Sequence, residues 1–369
     1  MNIKLMVLVL ALGVGAFGQT SVAVGSGSGD GRFRGQQIVD VWADPYPAGQ
    51  IFDRWTGDAH LLARADEWHA KVRTGTKNIN LNATYRTVPA WLPVGPENIG
   101  STQMRYFFPA NPVGIVFHFH GSGGSMNGLF SSSEQTIFAR ELVAEGYAVV
   151  SMNSSDRVNA QWNTSLPPNN PDVINVEAAI ASFISRGFIT NQTPVFASGI
   201  SNGGAFAPRV SLFLGFRGTA VYIATSNATI MQNTTAATIW CIMQNDSTLA
   251  PGSVQEALNN YNVLRGRVIR AEYNVLRPSP VFPERFRRIP GLNTADSINI
   301  YNALKNNGFL DSRDLLRQNP ISSGWQAVVP AQYNGNLPDI LDQLKVCYTE
   351  HQFFSDYNRR VISFFNSIL

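Results

Sequence analysis

The stretch from Val195 to Gly204, Val-Phe-Ala-Ser-Gly-Ile-Ser-Asn-Gly-Gly, constrains this chain more than any other. Apolar, strand-like residues lead into Gly199-Ile200-Ser201-Asn202-Gly203, and Ala205 to Leu214 can continue as a helix. A strand that turns at once into a helix lifts the Ser oxygen clear of the backbone, and the flanking glycines let the turn close. Gly-x-Ser-x-Gly alone is a weak signal. With a strand before it and a helix after it, Ser201 reads as a nucleophile rather than as part of a plain glycine-rich turn.

A nucleophilic Ser needs a base, and the base needs an orienting carboxylate. With this turn the chain order is Ser, then Asp or Glu, then His. One histidine, His351, follows Ser201; His60, His69, His118 and His120 all precede it. His351 comes after Val346-Cys347-Tyr348-Thr349, which reads as a strand, and before a helical tail from Asp356 to Leu369. Thr238 to Asp246 reads as an apolar strand ending in a polar turn, so Asp246 is the candidate carboxylate. Asp296, Asp311, Asp314, Asp339 and Asp342 follow no strand so clear. Negative charge develops on the substrate oxygen, and N–H donors must wait there. His118-Phe119-His120-Gly121-Ser122-Gly123-Gly124 offers the N–H of Ser122 or Gly123, joined by Asn202 after the nucleophile. His120 lies upstream of Ser201, so its ring is expected to prop this turn. As metal ligands, His118 and His120 lack a Cys or carboxylate at ligand spacing, so neither a metal nor an organic cofactor is expected.

Around this constellation, strands at Met104–Phe108, Gly114–Phe119, Tyr147–Met152, Val195–Gly199, Ala220–Ala224 and Ile239–Met243 alternate with helical stretches. One helix opens at a capping box, Ser131 to Glu134, and runs to about Glu145. Another runs from Asn170-Pro171-Asp172 to Arg186-Gly187. The alternation predicts an α/β fold, a mostly parallel sheet with helices on both faces.

On His120–Gly124, Gly199–Gly203, Asp246 and His351, residues 101–369 resemble α/β-hydrolase-fold serine esterases, in particular the secreted polyhydroxybutyrate-depolymerase-like and feruloyl-esterase-like group. The resemblance implies a carboxylic ester hydrolase working through an acyl-enzyme, with an ester substrate of polymeric or plant-derived kind. His351 lies 105 residues beyond Asp246, more than one crossover requires. Residues 250–335 are therefore expected to form a cap insertion, which makes transfer of a relative's substrate unsafe. Trp162 and Trp325 lie in loops able to line the cleft, either stacking on substrate or packing within the protein.

Residues 1–18 read as a secretory signal: Lys4, an apolar run from Leu5 to Phe17, and small residues around Ala16-Phe17-Gly18. The run is short for a membrane span, and no other spanning segment is expected. The mature chain is thus expected to be exported. Val39, Val41 and Ala43 alternate with polar residues, as do Ile79, Leu81, Ala83 and Tyr85, which predicts a small β domain over residues 21–87. Residues 88–100, rich in Pro and Gly, read as a linker. In Gly25, Gly27, Gly29, Phe33, Gly35, Phe52-x-x-Trp55-x-Gly57 and Asn82–Tyr85, the small domain resembles bacterial repeat modules of the internalin B-repeat type. That resemblance implies an extracellular spacer or binding role, with Trp42, Trp55 and Trp68 as core or as an exposed platform. It also supplies a rival reading, an adhesion protein whose hydrolase fold is an inactive scaffold; a serine peptidase is a second alternative within the fold. A scaffold has no physical need for a complete Ser, Asp and His set.

A formal charge of +3, with 14% charged residues, gives no ground for nucleic-acid binding. Arg265, Arg267, Arg270, Arg277, Arg285, Arg287 and Arg288 cluster, either as a solvated face or as a site for acidic groups. The two cysteines, Cys241 and Cys347, are expected on neighbouring strands, as a disulfide or as buried thiols. Seven Asn-x-Ser/Thr sequons occur, and the one at Asn245, beside Asp246, is expected to stay unglycosylated.

Overall fold

A computed structural model describes residues 19–369; the expected signal segment, residues 1–18, lies outside the described residues. The first part of the chain is all β: β1 (Gln19–Gly25), β2 (Gly27–Ser28), β3 (Gly31–Arg34), β4 (Ile38–Ala43), β5 (Gln50–Gly57), β6 (His69–Arg73) and β7 (Ile79–Thr87). They form a four-stranded sheet, β3-β1-β7-β5, and a three-stranded one, β2-β4-β6. Alternation of buried and exposed side chains brings Val22, Val41, Trp42, Phe52, Trp55, Trp68, Val72 and Leu81 into one core. Trp42, Trp55 and Trp68 are core residues, with no exposed aromatic platform among them.

The second part contains β8 (Val94–Ile99), β9 (Thr102–Phe107), β10 (Gly114–Phe119), α1 (Gly128–Ser131), α2 (Ser133–Ala144), β11 (Tyr147–Met152), α3 (Pro171–Ser185), β12 (Val195–Ile200), α4 (Asn202–Leu214) and β13 (Gly218–Tyr222). It continues with α5 (Ala228–Asn233), β14 (Ala237–Met243), α6 (Ser253–Gly266), β15 (Ala271–Leu276), α7 (Thr294–Asn306), α8 (Leu337–Tyr348) and α9 (Asn358–Asn366). Eight strands make one sheet in the order β15-β14-β13-β12-β10-β11-β9-β8. β10 to β15 run parallel, and β9 pairs antiparallel with β11 and with β8. Both faces are covered, which is why these strands read as nearly unbroken apolar runs. Val116, Val149 and Phe196 face α2 and α9, whereas Ile115, Val150 and Ala197 face α3 and α4. The fold is thus a mostly parallel α/β sheet covered by helices on both faces, with a separate small β module in front of it.

Several elements differ from the sequence reading. Residues 88–100 are more than a linker, since β8 forms the outer edge of the sheet; Pro96 is tolerated there because an edge strand has an unpaired side. The insertion begins later than residue 250. α6 and β15 belong to the main sheet layer, and the added segment is residues 277–336, carrying α7. Val346 to Tyr348 end helix α8 rather than forming a strand. Ile340, Leu344 and Cys347 recur at helical spacing, a period that a four-residue apolar window conceals. Cys241 in β14 and Cys347 in α8 are free, buried thiols. The capping box also fails to form: Ser132 is the N-cap of α2 without a side-chain bond, and Glu134 is turned into the protein.

The module is welded to the rest. Trp42 stacks on Phe282 of the insertion, with ring centroids 4.3 Å apart. Glu67 takes both ends of the Arg360 guanidinium, at 2.5 and 3.0 Å. His69 bonds to Asp356, and Arg287 bonds to Asp44. Nor does the arginine cluster form a uniformly solvated face. Arg285 and Arg288 are enclosed beside Glu134, where the two guanidinium groups offset the cost of burying its carboxylate.

Candidate active site

Ser201 sits on the sharp turn between β12 and α4, at φ 55° and ψ −119°. Its N–H donates to the Tyr222 carbonyl at 3.0 Å, which pins the strained turn to the neighbouring strand. The glycines around it are required by contact. A Cβ on Gly199 would run into the backbone of Gly203 and Gly204, and one on Gly203 would meet the carbonyls of Phe119 and His120. The turn therefore nests against the end of β10. There Gly121 lies so close that a Cβ on it would be 3.5 Å from the Ser201 Cβ.

Asp246 and His351 come together from the loops after β14 and α8. The Asp246 Oδ2 lies 2.7 Å from the His351 Nδ1. Its Oδ1 accepts from the N–H groups of Thr248 and Leu249, at 3.0 and 3.1 Å. The Asp246 side chain is fully enclosed, while His351 keeps 16% of its side-chain surface. An ionised carboxylate only accepts, so Nδ1 carries the ring proton and Nε2 is left with its lone pair. The two loops are stitched together. The Asn245 N–H donates to the Thr349 carbonyl at 3.1 Å, and its Nδ2 donates to the Tyr348 carbonyl at 2.8 Å.

Opposite the turn, Gly121-Ser122-Gly123-Gly124 leaves β10. Gly123 does not fit the expected donor role, because its N–H already serves the carbonyls of Asn159 and Ala160, at 3.3 and 3.2 Å. The N–H groups of Ser122 and Asn202 have no acceptor among the described residues; Asn202 opens α4, where intrahelical acceptors do not exist. His120 braces the loop: its Nδ1–H donates to the Gly121 carbonyl at 2.7 Å, and Nε2 accepts from the Ser154 N–H at 3.2 Å. Burial pushes its pKa down to about 4, so the ring is neutral at pH 7. His118 is likewise pushed to about 4 by burial, and it lies between Ser198 and Gln135.

Neither tryptophan offers a stacking face to substrate. Trp162 is 3% exposed and stacks on Phe206. Its Nε1–H donates to the His120 carbonyl and its N–H to Asn202 Oδ1, so it is a beam behind the turn. Trp325 is fully buried in the core that the insertion shares with α8, bonded to the Pro320 carbonyl. Indole rings in loop sequence carry no local mark of whether they face outward.

Glu350 escaped the sequence reading. Its buried carboxylate receives the N–H groups of Ser247 and His351, the Ser247 hydroxyl and the Asn319 amide. The available signal was a lone acid directly before the candidate base.

No known family model matches the chain, and no curated protein matches its sequence. Among solved structures it is similar to a ferulic acid esterase, at 11% identity and a TM-score of 0.36, over 47% of this chain and 83% of that one. It is similar to an S-formylglutathione hydrolase from Agrobacterium tumefaciens, at 12% identity and a TM-score of 0.37, over 50% of this chain and 90% of that one. It is also similar to an acylaminoacyl peptidase from Pyrococcus horikoshii, at 12% identity and a TM-score of 0.38, over 59% of this chain and 40% of that one. Likeness of this degree carries no statement about chemistry.

Proposed function

We propose that the chain is a serine hydrolase of carboxylic esters. Ser201 attacks the ester carbonyl, and His351 Nε2 takes the hydroxyl proton and returns it to the leaving alcohol. Asp246 holds the imidazole in its useful tautomer and stabilises the imidazolium. Water, activated by the same base, then releases the acyl group. The N–H groups of Ser122 and Asn202 receive the developing oxyanion. The observation that carries this reading is the 2.7 Å bond between His351, on the loop after α8, and the enclosed Asp246, on the loop after β14, in a chain whose β12–α4 turn holds Ser201 in a strained conformation.

Within the same proposal, residues 1–18 direct export, and the substrate is a polymeric or plant-derived ester. N-terminal sequencing of the mature protein tests the first point. The β module serves in this reading as a brace, since its tryptophans are core and its side chains bond to the catalytic part.

The deciding experiment is hydrolysis of short and long p-nitrophenyl esters by the full chain and by Ser201→Ala. Activity lost in the variant supports the reading. Activity kept in the variant overturns it.

A further inference from the structure

We propose that Glu350 is a positioning residue that locks the loop bearing His351 to the loop bearing Asp246 and ties both to the insertion. This rests on the serine-hydrolase reading of the site. Oε1 accepts from the Ser247 N–H at 2.8 Å and the His351 N–H at 2.7 Å. Oε2 accepts from the Ser247 Oγ at 2.7 Å and the Asn319 Nδ2 at 2.6 Å. Two donors on each oxygen fill the four lone-pair sites of a carboxylate. Glu350 is completely buried and makes no ion pair among the described residues.

A buried anion without a counter-ion is costly, and an amide or an apolar side chain would fill the space at less cost. The position tolerates the charge because four donors converge on it, of which only the Ser247 hydroxyl can also accept. Gln has one acceptor oxygen, and its NH2 group would face two of those donors.

The donors explain what the arrangement does. Ser247 follows Asp246 directly, and His351 follows Glu350 directly. The carboxylate thus fixes the backbone next to both members of the bonded pair, which lie on different loops. Asn319 belongs to residues 277–336, the segment added to the basic sheet. That segment also shares a core with α8, through Phe286, Ile300 and Trp325 packed with Leu344 and Cys347. A displacement of the insertion is therefore transmitted to the base through Asn319 and Glu350. Positioning errors of about an ångström cost on the order of a hundredfold in rate.

The test compares the full chain with Ser201→Ala, Glu350→Gln, Asn319→Ala and the double variant, using a p-nitrophenyl ester and the rate of fluorophosphonate labelling. Expected are an inactive Ser201→Ala and a Glu350→Gln whose kcat falls tenfold or more while KM stays within twofold. Labelling slows in step, because both reactions need Ser201 activated by His351. Asn319→Ala loses kcat several-fold, and the double variant is no worse than Glu350→Gln, the sign of one shared network. Wild-type kcat in Glu350→Gln, with Ser201→Ala inactive, overturns the proposal and leaves the serine reading standing. An active Ser201→Ala overturns the serine reading itself. If Glu350→Gln fails to fold, Asn319→Ala decides, and an unchanged kcat there overturns the proposal.

Discussion

His69 of β6 bonds to Asp356 through Nδ1 at 2.7 Å and to Asp40 through Nε2 at 2.8 Å. A module imidazole is thereby fixed to the chain five residues beyond His351. Burial opposes a charge on His69, but the bonds to Asp356 and Asp40 outweigh it and raise the pKa above the usual histidine range. The stabilisation is complete below about pH 6.5, where unfolded His is also protonated. It is lost as pH rises through the raised folded value. His69→Gln should cost about 3 kcal/mol at pH 6, since it takes the charged partner from the buried Asp356 and leaves the half-buried Asp40 with Lys71 alone. Urea unfolding at pH 6 and pH 9 measures this; equal losses at both would refute the charged-pair account.

His118 and His120 respond in the opposite direction. Burial holds both near a pKa of about 4 in the folded chain. Their contribution is present above about pH 6.5 and is lost as pH falls through 4, because the unfolded chain binds protons first. By linkage each is worth at most about 3 kcal/mol across that window. His69 is already protonated there and adds no slope. The chain should therefore lose stability between pH 6.5 and 4, and His118→Gln should show a shallower decline than the parent. Parallel profiles would mean that carboxylates alone set the acid limit.

Glu134 makes a third test. It accepts from Arg288 Nε at 3.1 Å, the Ser355 N–H at 3.0 Å and Gln343 Nε2 at 3.1 Å. Arg288 also lies 3.8 Å over the Trp68 ring. Burial works against the charge, but Arg288, Arg285 and Ser355 prevail and hold the carboxyl at about 2. This one group joins α2, the insertion, α8 and the module. Glu134→Gln should cost about 3–5 kcal/mol, because two enclosed guanidinium groups lose their counter-ion. Arg288→Lys should not preserve stability, since an ammonium keeps the charge but loses the planar stacking on Trp68. Thermal unfolding of both variants checks the pair, and a Lys variant as stable as the parent would remove the stacking argument.

Glu134 also shows what a sequence hides. Ser131 and Glu134 have capping-box spacing, and the local pattern says nothing of Arg288, 154 positions away. The same distance effect left two alternatives open for the arginine cluster, solvated face or acid-binding site, and two for Trp162, cleft lining or packing. The sheet was legible because covering both faces leaves a local trace, the unbroken apolar runs of β10, β11 and β14. The Ser201 turn was legible because its steric demands fall within five residues. Asp246 and His351 were legible only through chain order, since nothing near either names the other. Glu350 and the occupied N–H of Gly123 depend on donors and acceptors supplied by other loops. No periodicity reports them.

Those steric demands give the last prediction. Gly203 lies so close to the carbonyls of Phe119 and His120 that an added methyl cannot fit without moving the backbone of β10 or α4. Backbone yields less readily than side chain, so either the Ser201 turn or the loop at Gly121 to Gly124 must shift. Gly203→Ala should therefore cost more than about 2 kcal/mol, within the range for overpacking a tight site. It should also lower ester hydrolysis on the order of a hundredfold, because nucleophile and oxyanion donors lose their mutual spacing. Gly266 is the matched control: its Cβ would meet nothing within 4 Å. Gly266→Ala should be neutral or slightly stabilising, through the less flexible unfolded chain. Measured side by side by urea unfolding and ester kinetics, similar behaviour of the two variants would mean that the contact at Gly203 does not hold the turn in place.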